Sequence, residues 1–201
     1  AAIEDDIDAA LKAVLADFPL DGQRMCMLGA SYGGYSSLVS AIRWPGRFRC
    51  AVSISGLSDL PLFFTASDSA RRAEVRMEME KKIGNPNTDL PRMQRDSPLY
   101  RYRELALPVM LVHGTEDARV DYEHARRMVR MLNLAGRPPV LVELEGAGHG
   151  GWDTAQLETA WTGIAGFLRA HLGPDAPLPP ARAPQPSAQS LPARGMTSGG
   201  E

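Results

Sequence analysis

Residues 24–38 read RMCMLGASYGGYSSL, and this stretch decides the fold. Arg24–Leu28 is a short, mostly apolar run of strand length. The residues after Ser31 are small and suit a helix up to Ala41, and Trp44-Pro45-Gly46 stops it. Ser31 therefore stands on the turn between a buried strand and a helix, with Gly29 and Gly33 two residues to either side. A serine hydroxyl is a poor nucleophile until a base takes its proton, and it must project freely toward its target. A sharp strand-to-helix turn gives that projection but crowds the backbone, and glycines at these two positions relieve the crowding.

The pattern on either side extends the alternation. Ile3, Ile7, Leu11, Val14 and Leu15 recur at helical spacing, which predicts a helix over 2–16. Phe48–Ile54 reads as the next strand, and Val75, Met79 and Ile83 form one apolar stripe on a surface helix over 69–83. Residues 108–113, PVMLVH, are continuously apolar, the pattern of a strand covered on both faces. A helix marked by Tyr122, Ala125, Met128, Val129 and Leu132 ends at Gly136, a strand follows at Val140–Leu144, and Leu157, Trp161, Ile164, Leu168 and Leu172 mark a last helix. Strands alternating with helices imply a parallel sheet with helices on both faces. Residues 1–172 form this α/β domain. Residues 173–201 hold seven of the sixteen prolines and no apolar periodicity, so a Pro/Ala-rich disordered tail is expected there.

The bulk numbers exclude several partner classes. A net charge of -2 gives no reason to expect nucleic acid or an anionic membrane as partner. No apolar run approaches the roughly 20 residues needed to span a bilayer. Cys26 and Cys50 fall in two predicted strands, and two cysteines are too few for a disulfide framework, so two buried free thiols are expected.

Four histidines compete as the base for Ser31. His124 sits inside a predicted helix and His171 at the end of another, where surface positions are expected; His113 ends a strand beside Gly114. His149 lies in EGAGHGG, a glycine-rich loop after the 140–144 strand. For the acid, LVHGTEDARV puts Asp117 just beyond the 108–113 strand, with Glu116 as the alternative; Asp121 and Asp153 fall within or beside helices. Serine, then acid after a later strand, then histidine after the last strand is the order of an α/β-hydrolase, whose nucleophile elbow is G-x-S-x-G. Ser31, Asp117 and His149 are thus the candidate catalytic residues, and the backbone N–H of Tyr32 is the candidate oxyanion donor. No metal or organic cofactor is called for, because no clustered His/Cys/carboxylate ligand set is visible.

GASYGGY, PGRFRCAVSISGLSDL, IGNP…DSPL, PVMLVHGTEDARV and EGAGHGG together resemble the catalytic domain of the prolyl oligopeptidase family of serine peptidases, over residues 3–172. The resemblance implies an α/β-hydrolase domain and peptide or acyl-peptide substrates. It also implies a β-propeller and the first half of the hydrolase sheet, with the second oxyanion donor, ahead of residue 1. The chain is then expected to be the C-terminal part of that domain, its missing N-terminal part serving as partner and its first strand as a bare sheet edge. Similar family members place an arginine at the position of Arg119 to hold a substrate carbonyl. Tyr35, Leu57, Phe63 and Phe64 follow the elbow or the 48–54 strand and are candidates for an apolar acyl pocket. Two readings compete with a peptidase: an esterase acting on small esters, and an inactive fragment serving as an interaction module.

Overall fold

The computed structural model describes residues 2–174. In chain order the elements are α1 (Ala2–Asp17), β1 (Cys26–Ala30), α2 (Tyr32–Arg43), β2 (Cys50–Ile54), α3 (Leu60–Ala66), α4 (Ala73–Ile83) and α5 (Leu90–Asp96). After these come β3 (Val109–Gly114), α6 (Glu123–Leu134), β4 (Val140–Leu144) and α7 (Thr154–Leu172), and single 3-10 helices span Ser69–Arg71 and Pro98–Glu104. The four strands are parallel and lie in sequence order, β1-β2-β3-β4.

Side chains of the two central strands alternate between two cores, as the two-residue period of a strand requires. Ala51, Val109 and Leu111 meet Leu38 and Ile42 of α2 and Met128 and Leu132 of α6 on one face. Val52, Ile54, Met110 and Val112 meet Ala160, Ile164 and Phe167 of α7 on the other. Each Val, Leu, Ile, Met or Phe side chain among them contributes about 1.5–3 kcal/mol when withdrawn from water. β2 and β3 are buried along their whole length, which is why 108–113 reads as a continuous apolar run. The small residues of α2 let it lie close to the sheet: Ser37 Oγ lies 2.8 Å from Gly34 O and 3.1 Å from Val52 O and shares its one proton between them. A capping box fixes the start of α7, with Asp153 accepting from the Gln156 amide and Gln156 accepting from the Asp153 amide.

The structure corrects three expectations. Cys26 and Cys50 are joined in a disulfide and are not free thiols. The parallel register sets Cys26 directly opposite Cys50 with Cα atoms 4.7 Å apart, inside the range a disulfide spans. The strands could be read from the sequence, but their mutual register could not. The single helix expected over 69–83 is a 3-10 turn followed by α4, with Arg72 in extended backbone between them. Two further short helices, α3 and α5, carry too few turns to show periodicity. His124 is wholly buried, not on the surface. Of the expected tail, residues 175–201 lie outside the described residues.

Among the described residues β1 has β2 as its only strand neighbour. Leu28 on that edge and Leu157 and Trp161 on α7 stay exposed.

Candidate functional site

Ser31 occupies a backbone conformation, φ 56° and ψ -118°, that L-residues rarely adopt. It is held there by its own N–H, which donates to Ile54 O at 2.8 Å, and by its carbonyl, which accepts from Gly34 N at 3.0 Å. Such a residue costs on the order of 1–3 kcal/mol and persists only where its surroundings fix it. A Cβ on Gly29 would stand 2.3 Å from Gly33 O, so the turn closes only with glycine there. On the other side the tight position is Gly34, whose Cβ would meet Gly56 Cα at 2.7 Å; a Cβ on Gly33 would meet nothing within 4 Å.

The loops after β3 and β4 run side by side beyond the sheet. The backbones touch at Gly114, where a Cβ would be 2.2 Å from Ala147 O. Glu116 N donates to Ala147 O at 3.0 Å and Gly146 N to Thr115 Oγ1 at 2.9 Å. This pairing brings Asp117 and His149 together, and His149 reaches back across the sheet to Ser31. His149 Nδ1 is 2.8 Å from Asp117 Oδ2, and its Nε2 is 3.0 Å from Ser31 Oγ. With Nδ1–H donating to the carboxylate, Nε2 is the acceptor for the serine hydroxyl.

Asp117 is buried, and its Oδ1 accepts the amides of Arg119 at 3.0 Å and Val120 at 2.9 Å. Burial pushes its carboxyl up, but the donors from His113, His149 and the Val120 amide outweigh it and hold the group well below the usual carboxylate range. It therefore faces His149 as an anion. Glu116 is exposed, Asp121 accepts from the Glu123 amide at 2.8 Å, and Asp153 caps α7. His113 is buried behind Asp117, and His171 packs edge-on against Phe167. Tyr32 opens α2, so its N–H is one of the first-turn amides with no carbonyl behind it in the helix.

A cavity of about 360 Å³ opens beside Ser31. Tyr35, Leu57 and Phe63 line it together with Met79 and Ile83 of α4, and Arg119 also lines it. Phe64 is not on this wall: it is buried against Phe63 with the Arg76 guanidinium over its ring. Arg119 is exposed, its Nε 3.9 Å from Asp68 Oδ1. The contribution of α4 escaped the sequence reading, although the stripe Val75–Met79–Ile83 was its signal. His124 supports the same wall from behind. Its Nδ1 accepts the amides of Ser58 at 3.1 Å and Asp59 at 3.3 Å, which fixes the turn that carries Leu57.

The sequence of residues 2–175 matches the model of the prolyl oligopeptidase family. The chain belongs to that family. Dipeptidyl aminopeptidase BIII of Pseudoxanthomonas mexicana is 29% identical over 173 residues, covering 85% of this chain and 25% of the relative. The inactive dipeptidyl peptidase 10 of Rattus norvegicus is 26% identical over 129 residues, covering 64% of this chain and 15% of the relative. Among solved structures, a Mycobacterium tuberculosis puromycin-hydrolyzing peptidase superimposes with a TM-score of 0.76 at 25% identity, covering 85% of this chain and 25% of that one. The chain thus spans a quarter or less of these relatives' length. The parallel sheet of this family member, with its helices on both faces, is the α/β-hydrolase arrangement of those relatives.

Proposed function

We propose that this chain carries the catalytic side chains of a serine hydrolase that cleaves peptide or acyl-peptide bonds. The observation behind the reading is the unbroken line from Ser31 Oγ through the His149 imidazole to Asp117, with contacts of 3.0 and 2.8 Å. Family membership alone does not carry it, since an inactive dipeptidyl peptidase 10 matches as well.

In the first step His149 Nε2 takes the hydroxyl proton as Ser31 Oγ bonds to the substrate carbonyl carbon. Asp117, fixed as an anion, holds the ring in the required tautomer and stabilises the imidazolium. The Tyr32 N–H donates to the oxyanion of the tetrahedral intermediate. The C–N bond then breaks, the amine leaves with the proton from His149, and an acyl-Ser31 ester remains. Water, deprotonated by the same nitrogen, attacks the ester, and Ser31 recovers its proton. The cavity lined by Leu57, Phe63 and Met79 receives an apolar side chain on the acyl side, and Arg119 beside it binds a substrate carbonyl.

The test is labelling of the full-length protein by a fluorophosphonate, with hydrolysis of a peptide p-nitroanilide followed alongside. Ser31→Ala should abolish labelling, and Ser31→Ala and His149→Ala should each remove nearly all turnover, because such residues act as a unit. Labelling of Ser31→Ala at native strength would defeat the assignment. Ester turnover without any amide turnover would favour the esterase reading instead.

A further inference from the structure

One buried titratable side chain outside the three reacting residues approaches them closely. His113, in β3, is 2% exposed, and its Nε2 lies 2.7 Å from Val120 O. A carbonyl oxygen only accepts, so the ring proton is on Nε2. The same nitrogen stands 3.5 Å from Asp117 Oδ2, the oxygen that also receives His149 Nδ1–H. Asp117 Oδ1 is already committed to the Arg119 and Val120 amides. His113 therefore grips both ends of the 117–120 turn: the carbonyl at one end and the carboxylate at the other. The Tyr122 ring packs edge-on against it at 5.9 Å, and the Tyr122 hydroxyl in turn donates to Glu143 of β4.

We infer that His113 is a positioning residue: its Nε2–H anchors the Val120 carbonyl at 2.7 Å, and the same N–H, shared weakly with Asp117 Oδ2 at 3.5 Å, helps set the carboxylate where His149 Nδ1–H meets it. The inference rests on the reading of Ser31, Asp117 and His149 as the reacting residues. A packing role alone would need only a ring-sized apolar group at this place. The geometry uses the proton. The titratable and charged groups around the pair are Asp117 and Tyr122 on the same segment, His124 from α6, His149 and Glu143 from the β4 side, and Asp68, Glu116 and Arg119 at the mouth of the site. Of these, Asp117 is the one whose carboxylate stands within reach of His113 Nε2.

The experiment compares His113→Phe, His113→Gln, Asp117→Asn and the double variant His113→Phe/Asp117→Asn in the full-length protein, each checked by thermal unfolding. His113→Phe keeps the ring volume without the donor and should lower kcat about tenfold, the order of leaving a buried carbonyl without its donor. KM should stay within twofold. The acid limb of the kcat/KM profile should move to higher pH, because a carboxylate with one donor fewer holds the imidazolium more firmly. His113→Gln, whose amide N–H can reach Val120 O, should recover most of the rate. In the Asp117→Asn background His113→Phe should cost less than twofold more. Equal losses in the Phe and Gln variants, or a full tenfold loss on top of Asp117→Asn, would overturn the inference. If Asp117→Asn leaves kcat unchanged, the assignment of Asp117 fails and this inference with it. If Asp117→Asn is severe while folded His113→Phe stays within twofold of native, only this inference fails. Should His113→Phe not fold, His113→Asn, whose shorter amide stops short of Val120, takes its place under the same expectations.

Discussion

Enlarging the acyl-side residue of a substrate from alanine to phenylalanine tests the cavity beside Ser31 directly. The space of about 360 Å³ is walled by Tyr35, Leu57, Phe63, Met79 and Ile83. It accepts a benzyl group, whereas a methyl group leaves those walls uncovered. Full burial of a phenylalanine side chain is worth about 1.5–3 kcal/mol relative to exposure. If that energy is realised in the transition state, kcat/KM for an acyl-Phe p-nitroanilide should exceed that for the alanine analogue about 10- to 150-fold, at roughly 1.4 kcal/mol per factor of ten. Met79 sits on α4 and is only partly buried, so Met79→Trp adds bulk to the cavity at little cost to the sheet core. That variant should reduce the preference to about threefold or less while leaving the alanine substrate within a factor of two. The assay is initial-rate release of p-nitroaniline by native and variant proteins. A native ratio within twofold, or a ratio indifferent to Met79→Trp, would refute the reasoning.

Further expectations follow from other contacts. Arg119→Ala should lower kcat/KM for peptides by about 1–3 kcal/mol, the range for a lost charged hydrogen bond, and affect a minimal acyl ester much less; equal losses on both would rule out selective carbonyl binding. Replacing Cys26 and Cys50 by serine opens a loop with a sequence separation of 24 residues and should lower the unfolding free energy by about 3 kcal/mol in a urea titration. An unchanged midpoint would show that the bond contributes nothing. His124 is held at about 3, below its ordinary 6.5, first by burial and then by its neighbours His113 and Arg127. Because its folded value is depressed, the unfolded chain takes up the proton first: stability is complete above about pH 6.5 and is lost as pH falls toward the folded value. Between about pH 6.5 and 4.5 this group should remove about 2–3 kcal/mol, read by urea unfolding at each pH. His124→Asn, whose Oδ1 can accept the Ser58 and Asp59 amides, should lack that component; parallel curves for the two proteins would contradict it.

The 108–113 strand and the elbow were legible because burial on both faces leaves a continuous apolar run, and a sharp turn leaves small residues. Asp117 and His149 could be placed because each follows a strand in a short loop, where few positions compete. What stayed hidden depends on juxtaposition across the sheet. Cys26 and Cys50 are 24 residues apart in sequence, and only the register of β1 on β2 makes them neighbours. His124 carries a polar ring on a helix with a plain apolar stripe, so nothing local reveals the two amides waiting for it. Likewise the stripe of α4 shows that one side is covered, without showing that part of its cover is a cavity open to Ser31.

The order β1-β2-β3-β4 also turns the sheet into a ruler for the proposed chemistry. Ser31 follows β1 and Asp117 follows β3, so two strand spacings, roughly 9.5 Å, separate the ends from which they spring. One imidazole, arriving from beyond β4, fills that interval with a hydrogen bond at each end. β2 contributes no group to the line and sets its gauge. A slip of β1 by one residue along β2 would displace Ser31 by roughly 3.3 Å, more than any hydrogen bond tolerates. The covalent tie between Cys26 and Cys50 forbids that slip, so a bond at the far end of the strand calibrates the distance at the working end.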